Sequence, residues 1–343
     1  MAERVRVLIV DDSAYVRKVV RQMLSRSPML EVVGAARDGE EALELVEALK
    51  PNVVTLDLNM PRLDGVDFIR RQMARRPLPI VLLSVASETG EQVMKALDVG
   101  AVDVVTKPTA LASERVLEVE DDLVAKVIAA ATAKVHSPPL VVKTQSRAKP
   151  VLKLKTDIVV IGVSTGGPQA LKQVIPSLPE SFPVPIAIVL HMPVGFTEPF
   201  ARTLDAVSNL KVVEAQHEMQ VQPGLAFIAP AGYHLTFDRR PDGTVSTRLS
   251  LEPLATPHRP AVDVLFRSAA EVYGERVLAV VLTGMGSDGT EGAAWVKARG
   301  GRVISESEET SVVYGMPRSV VEAGLSDSVV RLQEMTHSIL EAV

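Results

Sequence analysis

The sequence of 343 residues contains no cysteine. That excludes disulfides, thiolate metal sites and a cysteine nucleophile, and it suits a reducing compartment such as the cytoplasm. Nor is positive charge in excess: 37 Lys+Arg against 42 Asp+Glu leave a net charge of −5. No basic field is available to hold nucleic acid or an anionic membrane by charge. Long apolar runs are missing too, since charges or prolines interrupt every stretch before the roughly 18–20 residues that a membrane-spanning helix needs. The first apolar run, Val7 to Val10, is too short for a signal-peptide core. These absences predict a soluble, cytoplasmic protein with no nucleic-acid partner and no membrane insertion.

What is present is ordinary globular composition, 47% hydrophobic and 23% charged. At about 100–200 residues per domain the chain has room for roughly two. From its start to about residue 110, short β-branched runs alternate with turns rich in Asp, Gly or Pro and with segments of helical period. Val5 to Val10, Glu31 to Gly34, Val53 to Asp57, Ile80 to Ser84 and Val102 to Thr106 are expected strands. Between the first two, Val16, Val19, Val20, Met23 and Leu24 mark one apolar face of a helix. Such alternation predicts a parallel sheet covered on both faces. After Lys107-Pro108 a helical stretch is expected to run toward Ala133, and residues 134–155 then carry six basic side chains, three prolines and no carboxylate, the composition of an exposed tether. The expected division is a first domain over 4–121, a linker over 122–154 and a second domain over 155–343.

The second domain has 15 Lys+Arg and 21 Asp+Glu, a balance of −6. It opens with an expected strand, Asp157 to Val163, a glycine-rich turn and a helix from Pro168. Ile186 to Leu190, Leu225 to Ala229 and Val277 to Leu282 are further buried-strand candidates, with helices around Val262 to Tyr273 and Gly292 to Ala298. Tyr233 to Ser250, with Asp242-Gly243 at its turn, predicts an antiparallel hairpin. The fold class is α/β in both halves: a (βα)5 domain, then a doubly wound domain with a hairpin added.

In an open parallel sheet, ligands gather outside the carboxyl ends of the strands. Asp11 and Asp12 close the first strand, Asp57 the third and Ser84 the fourth, and Lys107 follows the fifth. Three carboxylates at one rim suit a hard divalent cation such as Mg²⁺, and the lysine can pair with a carboxylate or a phosphoryl group. The plainer reading is that these aspartates only cap helices. The segments VLIVDDS, TLDLNMPRLDG, LLSV and VTKP resemble the receiver domain of bacterial two-component response regulators, over about residues 4–120. The resemblance implies that Asp57 accepts a phosphoryl group, Asp11 and Asp12 hold Mg²⁺ with it, Ser84 meets the phosphoryl group and Lys107 completes the switch. Receivers commonly carry an aromatic switch residue three positions before the lysine; here that position is Val104.

In the second domain, Gly162-Val163-Ser164-Thr165-Gly166-Gly167-Pro168 joins an expected strand to an expected helix, a turn that exposes a serine beside a helix N-terminus. A glycine-rich turn of this kind can also cradle phosphate, although neither dinucleotide-binding nor P-loop spacing is met. His191 directly follows a second strand, and the loop Thr283 to Gly289 follows a third. If those strands are parallel, Ser164, His191 and Asp288 meet at one rim as nucleophile, base and orienting acid. His258, His234 and His217 compete for the role of base. The chain order Ser, His, Asp differs from that of the α/β-hydrolases.

IGVSTGG, VLHMP, HRPAVDVLF and LTGMGSDG resemble instead the catalytic domain of the chemotaxis protein-glutamate methylesterases, over about residues 155–343. The resemblance implies Ser164, His191 and Asp288 as catalytic residues, with Met285 and Thr165 at the oxyanion or substrate and no cofactor at the esterase site. Ala261 departs from the more usual serine of the HRPSVD segment. It further implies demethylation, and deamidation, of methyl-accepting chemotaxis receptors, and a chemotaxis histidine kinase that loads Asp57 and relieves inhibition of the Ser164 rim by the receiver. The competing expectations are a receiver-controlled binding module without catalysis, and an esterase acting on another substrate.

Overall fold

In the computed structural model, which describes residues 4–107, 115–133 and 155–343, the apolar runs of the N-terminal part become the strands of one parallel sheet. The elements alternate as β1 (Val5–Val10), α1 (Ala14–Ser25), β2 (Leu30–Ala36), α2 (Gly39–Leu49), β3 (Val53–Asp57), α3 (Gly65–Arg75), β4 (Ile80–Ser84), α4 (Ala86–Asp98), β5 (Asp103–Thr106) and α5 (Arg115–Ala131). The strand order is β2-β1-β3-β4-β5, so the order reverses between β1 and β3 and leaves a crevice at their carboxyl ends. α1 buries the predicted stripe Val16, Val19, Val20, Met23 and Leu24, and its first turn is capped by Ser13 Oγ. The helix-capping reading of the aspartates therefore fails for α1, and α3 is likewise capped by Asp64 rather than Asp57.

α5 ends at Ala131, close to the limit near Ala133 expected for the helical stretch. Its residues Leu123, Val127 and Ala130 are buried, a spacing of one helical face, so the packing of this unit continues along the helix. Lys126, on that face, pairs with Asp103 at 3.3 Å and Asp122 at 3.4 Å and donates to the Val104 carbonyl at 2.8 Å. The basic stretch 134–154 lies outside the described residues. By contact the chain divides into the units Met1–Leu140 and Val141–Val343.

The second unit runs β6 (Ile158–Val163), α6 (Gly167–Val174), β7 (Ile186–Leu190), α7 (Thr197–Asp205), β8 (Lys211–Glu214), β9 (Leu225–Ile228), β10 (His234–Arg239), β11 (Val245–Ser250), α8 (Val262–Tyr273), β12 (Val277–Val281), α9 (Thr290–Ala298), β13 (Arg302–Glu306), α10 (Met316–Glu322), β14 (Ser328–Val330) and α11 (Leu332–Ala342). Seven strands form one parallel sheet in the order β14-β13-β12-β6-β7-β9-β8. β10 and β11 form the antiparallel hairpin, with Gly243 at φ 87° beyond Asp242 in its turn. The α/β fold class holds in both units. On one face, Val160, Phe227 and Ala279 of the sheet pack with Leu265 and Phe266 of α8 and with Leu235 and Phe237 of the hairpin. Each such large side chain contributes on the order of 1.5–3 kcal/mol on burial. Because β6 comes first and the chain then builds outward on each side, the order reverses between β6 and β12, and the Ser164 turn and the 283–289 loop leave the sheet there. Among the described residues no helix is long and apolar enough to cross a membrane.

Candidate active site and phosphoryl site

In the first unit the reversal of strand order gathers the predicted residues. Carboxylate oxygens of Asp11, Asp12 and Asp57 lie within 4.8 Å of one another. Asp11 and Asp57 are buried, Asp12 is exposed, and Lys107 Nζ reaches Asp11 Oδ2 at 3.0 Å and Asp57 Oδ2 at 2.9 Å. Burial pushes both the Asp11 and the Asp57 carboxyls upward, against the opposing pull of Lys107. Burial would also lower the Lys107 ammonium, but its two carboxylate partners more than offset this and raise it. Three clustered carboxylates beside a single cation remain short of positive charge, and an all-oxygen donor set of this kind fits Mg²⁺. Ser84 is buried at the end of β4, where its carbonyl accepts from Lys107 N at 2.9 Å. Val104 is buried on β5.

In the second unit Ser164 follows β6 and is held from both neighbouring strands. Its N–H donates to Thr283 O at 3.0 Å, while His191 N donates to Val163 O at 3.2 Å. The turn is tight: Gly166 has φ 78°, and a β-carbon there would fall 2.5 Å from Val312 Cβ. His191 and Asp288, from loops flanking β6 on opposite sides, meet with Nε2 2.9 Å from Oδ2. Asp288 also accepts from Val262 N at 2.8 Å and Asp263 N at 2.9 Å. Burial would raise its carboxyl, but the His191 contact and these backbone donors bring it down to about 2. It is therefore ionised at neutral pH and acts as acceptor only, which places the His191 proton on Nε2. His191 Nδ1 is buried and has no hydrogen-bond partner among the described residues.

The other histidines fall outside this arrangement or beside it. His234 is buried, its Nδ1 accepts from Ala261 N at 3.2 Å and its Nε2 meets Pro253 O at 3.2 Å. Burial is the first cause of its lowered pKa. His217 accepts from Leu249 N at 3.3 Å. His258 stacks on His191, ring centroids 4.1 Å apart. Thr165 is buried and its carbonyl accepts from Thr283 Oγ1 at 2.9 Å. The Gly284 backbone, which precedes Met285, is fixed by N–H donation to Val313 O at 3.0 Å and by acceptance from Met316 N at 2.8 Å.

Two carboxyls beside this site, Asp263 half-buried and Glu306 buried, were not singled out from the sequence. Asp263 accepts from Gly289 N at 2.9 Å and Gly292 N at 2.7 Å. Glu306, wholly buried at the end of β13, accepts from Thr283 N at 2.8 Å and Thr310 Oγ1 at 3.0 Å. Burial outweighs these bonds and pushes the Glu306 carboxyl up to about 7. For Asp263 the only signal was its place in HRPAVD; for Glu306, its place after an apolar run, a common surface pattern.

Family comparisons agree with this division. A receiver model, response regulator receiver domain, matches residues 7–117, and a second model, CheB methylesterase, matches 159–339. The chain is thus a response regulator whose second domain is an enzyme of the methylesterase class. It belongs to the CheB methylesterase family. A protein-glutamate methylesterase/protein-glutamine glutaminase of Myxococcus xanthus is 48% identical over 334 residues, 96% of each chain. One of Halalkalibacterium halodurans is 43% identical over 99% of each. Among solved structures, the Thermotoga maritima CheB methylesterase catalytic domain aligns at 47% identity with a TM-score of 0.54, covering 55% of this chain and 99% of that one.

Proposed function

We propose that the second domain hydrolyses glutamate methyl esters on chemoreceptors to glutamate and methanol, and receptor glutamine amides to glutamate and ammonia, with Ser164 as nucleophile. The observation that carries this reading is the contact of His191 Nε2 with the ionised Asp288 carboxylate beside the Ser164 turn. That contact leaves Nδ1 as the basic nitrogen. Nδ1 takes the Ser164 proton as Oγ attacks the ester carbonyl, and Asp288 stabilises the imidazolium that forms. The Met285 N–H faces the developing oxyanion. Nδ1–H then protonates the departing methoxide, methanol leaves, and a water activated by the same nitrogen cleaves the acyl-serine. Serine proteases commonly use the opposite ring nitrogen as base; here the ring is turned about, and the chemistry is unchanged.

The receiver supplies control. Asp57 accepts a phosphoryl group from a chemotaxis histidine kinase, and Asp11, Asp12 and Asp57 would hold Mg²⁺, which neutralises charge on the transferred phosphoryl oxygens. Ser84 and Lys107 hold the phosphorylated form, and phosphorylation relieves restraint on the esterase by shifting a two-state equilibrium. The esterase chemistry needs only side chains of the chain itself. A cytoplasmic setting follows from the kinase and from receptor segments that carry methylated glutamates.

The test is methanol release from methylated receptor cytoplasmic fragments by wild type and Ser164→Ala. Release by wild type and none by the folded variant is expected. Equal release by both overturns the nucleophile, and no release by wild type overturns the substrate.

A further inference from the structure

Neither α8 nor α9 brings its own N-terminal cap. The N-cap positions are Ala261 and Gly289, and neither offers a side-chain hydrogen bond. Each helix is capped instead by an aspartate from the other's neighbourhood. Asp288, just before α9, accepts from Val262 N and Asp263 N at the start of α8. Asp263, in the first turn of α8, accepts from Gly289 N and Gly292 N at the start of α9. The two helix ends come this close because position 292 is glycine: a β-carbon there would fall 2.6 Å from Phe266 Cβ and 2.9 Å from Asp263 Cα. Four backbone donors are satisfied by one reciprocal pair, and one member of the pair is the partner of His191.

We propose that Asp263 is a positioning residue of the esterase: by bracing Gly289 and Gly292 it fixes the Asp288 carboxylate against His191 Nε2, and so decides which nitrogen of His191 is free to act as base. The proposal rests on the Ser164–His191–Asp288 reading above. Asp263 touches no substrate and acts through Asp288.

The electrostatics of the pair point the same way. Two half-buried carboxyls this close do not both ionise without cost. Burial first, and then the charge of Asp288, push the Asp263 carboxyl up to about 7, whereas Asp288, beside His191, stays near 2. Up to neutral pH the negative charge therefore sits on the member that faces the histidine. The other titratable groups around the pair are His191 itself, His258 stacked on it, and His234, which feels the Asp288 charge together with Arg259. None of these donates to the Asp263 carboxyl, whose acceptor bonds run to Gly289 and Gly292.

The test uses full-length protein labelled with ¹⁵N-histidine: wild type, Asp263→Asn, Asp263→Ala, Asp263→Glu and Ser164→Ala. Imidazole ¹⁵N shifts report the His191 tautomer without substrate, and methanol release gives kcat and KM. Wild type is expected to show the Nε2–H tautomer. Asp263→Asn keeps an uncharged acceptor for both glycine N–H groups, so the tautomer stays and kcat remains within about fivefold. Asp263→Ala leaves those donors unpaired; the tautomer becomes mixed and kcat falls about 10–100-fold with KM little changed, the cost of a misplaced catalytic group. Should Asp263→Ala fail to fold, Asp263→Glu decides, since its extra methylene displaces the carboxyl and gives the same loss in weaker form. A folded Asp263→Ala, or Asp263→Glu, with wild-type tautomer and kcat overturns the proposal, as does an Asp263→Asn protein with the tautomer lost. Activity retained by Ser164→Ala would instead remove the nucleophile, and the tautomer readout would still judge Asp263.

Discussion

Gly284 lies directly against Ser164: a β-carbon at 284 would stand 2.8 Å from Ser164 Cβ and 3.1 Å from its backbone nitrogen, and closer still to Met316 Sδ. The loop that carries Met285 can approach the serine only because residue 284 has no side chain. Gly284→Ala must push the loop, the serine or Met316 aside. We expect kcat for methanol release to fall by about 10²-fold or more, with about 1–3 kcal/mol lost in stability. Steady-state kinetics and urea unfolding followed by Trp295, the only tryptophan of the chain, measure both. Wild-type kinetics in this variant would contradict the close approach.

Asp288→Asn tests the direction of the imidazole. With its oxygen in the Oδ1 place the amide still accepts from Asp263 N, but its NH₂ then takes the Oδ2 place, faces Nε2, favours the proton on Nδ1 and leaves Val262 N without its acceptor. The base is lost at the cost of one backbone hydrogen bond. We expect kcat to fall about 10³–10⁴-fold, the cost of a wrong tautomer in such a triad, with KM within a few-fold of wild type. A loss below about tenfold would contradict the assignment of Nδ1 as base.

Glu306 predicts a pH dependence of stability. Its carboxyl is raised from 4.5 to about 7 in the folded protein, by burial above all. Between those values the native state binds more protons than the unfolded chain, so stability falls as pH rises through this window. The integrated contribution is on the order of 3 kcal/mol, present below about pH 4.5 and lost by about pH 8. Glu306→Gln removes it. The urea midpoint reported by Trp295 should drop less between pH 5 and pH 8 in the variant than in wild type, and equal drops would contradict the buried, protonated state.

The two sites should also separate chemically. Removing divalent cations with a chelator, or introducing Asp57→Asn, is expected to abolish phosphorylation by a small phosphodonor and any activation that follows it. Basal esterase activity should be unaffected, because Asp11, Asp12 and Asp57 belong to the receiver. Phosphate incorporation and methanol release, followed in parallel, check this. Loss of basal activity on chelation would place a metal in the esterase chemistry.

Much of this architecture is legible in the sequence because chemistry and topology coincide. Buried parallel strands such as Val53–Asp57 and Ile186–Leu190 read as continuous apolar runs, and their ends carry Asp57 and His191. The strands left unread, β8 and β14, are short, partly exposed edge strands without a continuous apolar signal. β13 ends on buried Ser305 and Glu306 and so looks amphipathic from sequence. The helical stretch expected toward Ala133 is present as α5, but Lys126 and Asp122 interrupt its apolar face, and only the structure shows that Lys126 pairs with Asp122 and with Asp103. Asp263 stayed hidden for a related reason. Its partners are backbone N–H groups in a distant loop, and no residue pattern announces a bond to main chain.

In the proposed mechanism Ser164 attacks a receptor glutamyl ester. The most direct test of that attack is acid quench of the enzyme during turnover of a methylated receptor fragment, followed by mass spectrometry of the digested mixture. A peptide containing Ser164 joined through an ester to a receptor glutamyl side chain is expected, absent in Ser164→Ala. Turnover with the fragment attached to another residue, or turnover by Ser164→Ala, would contradict it.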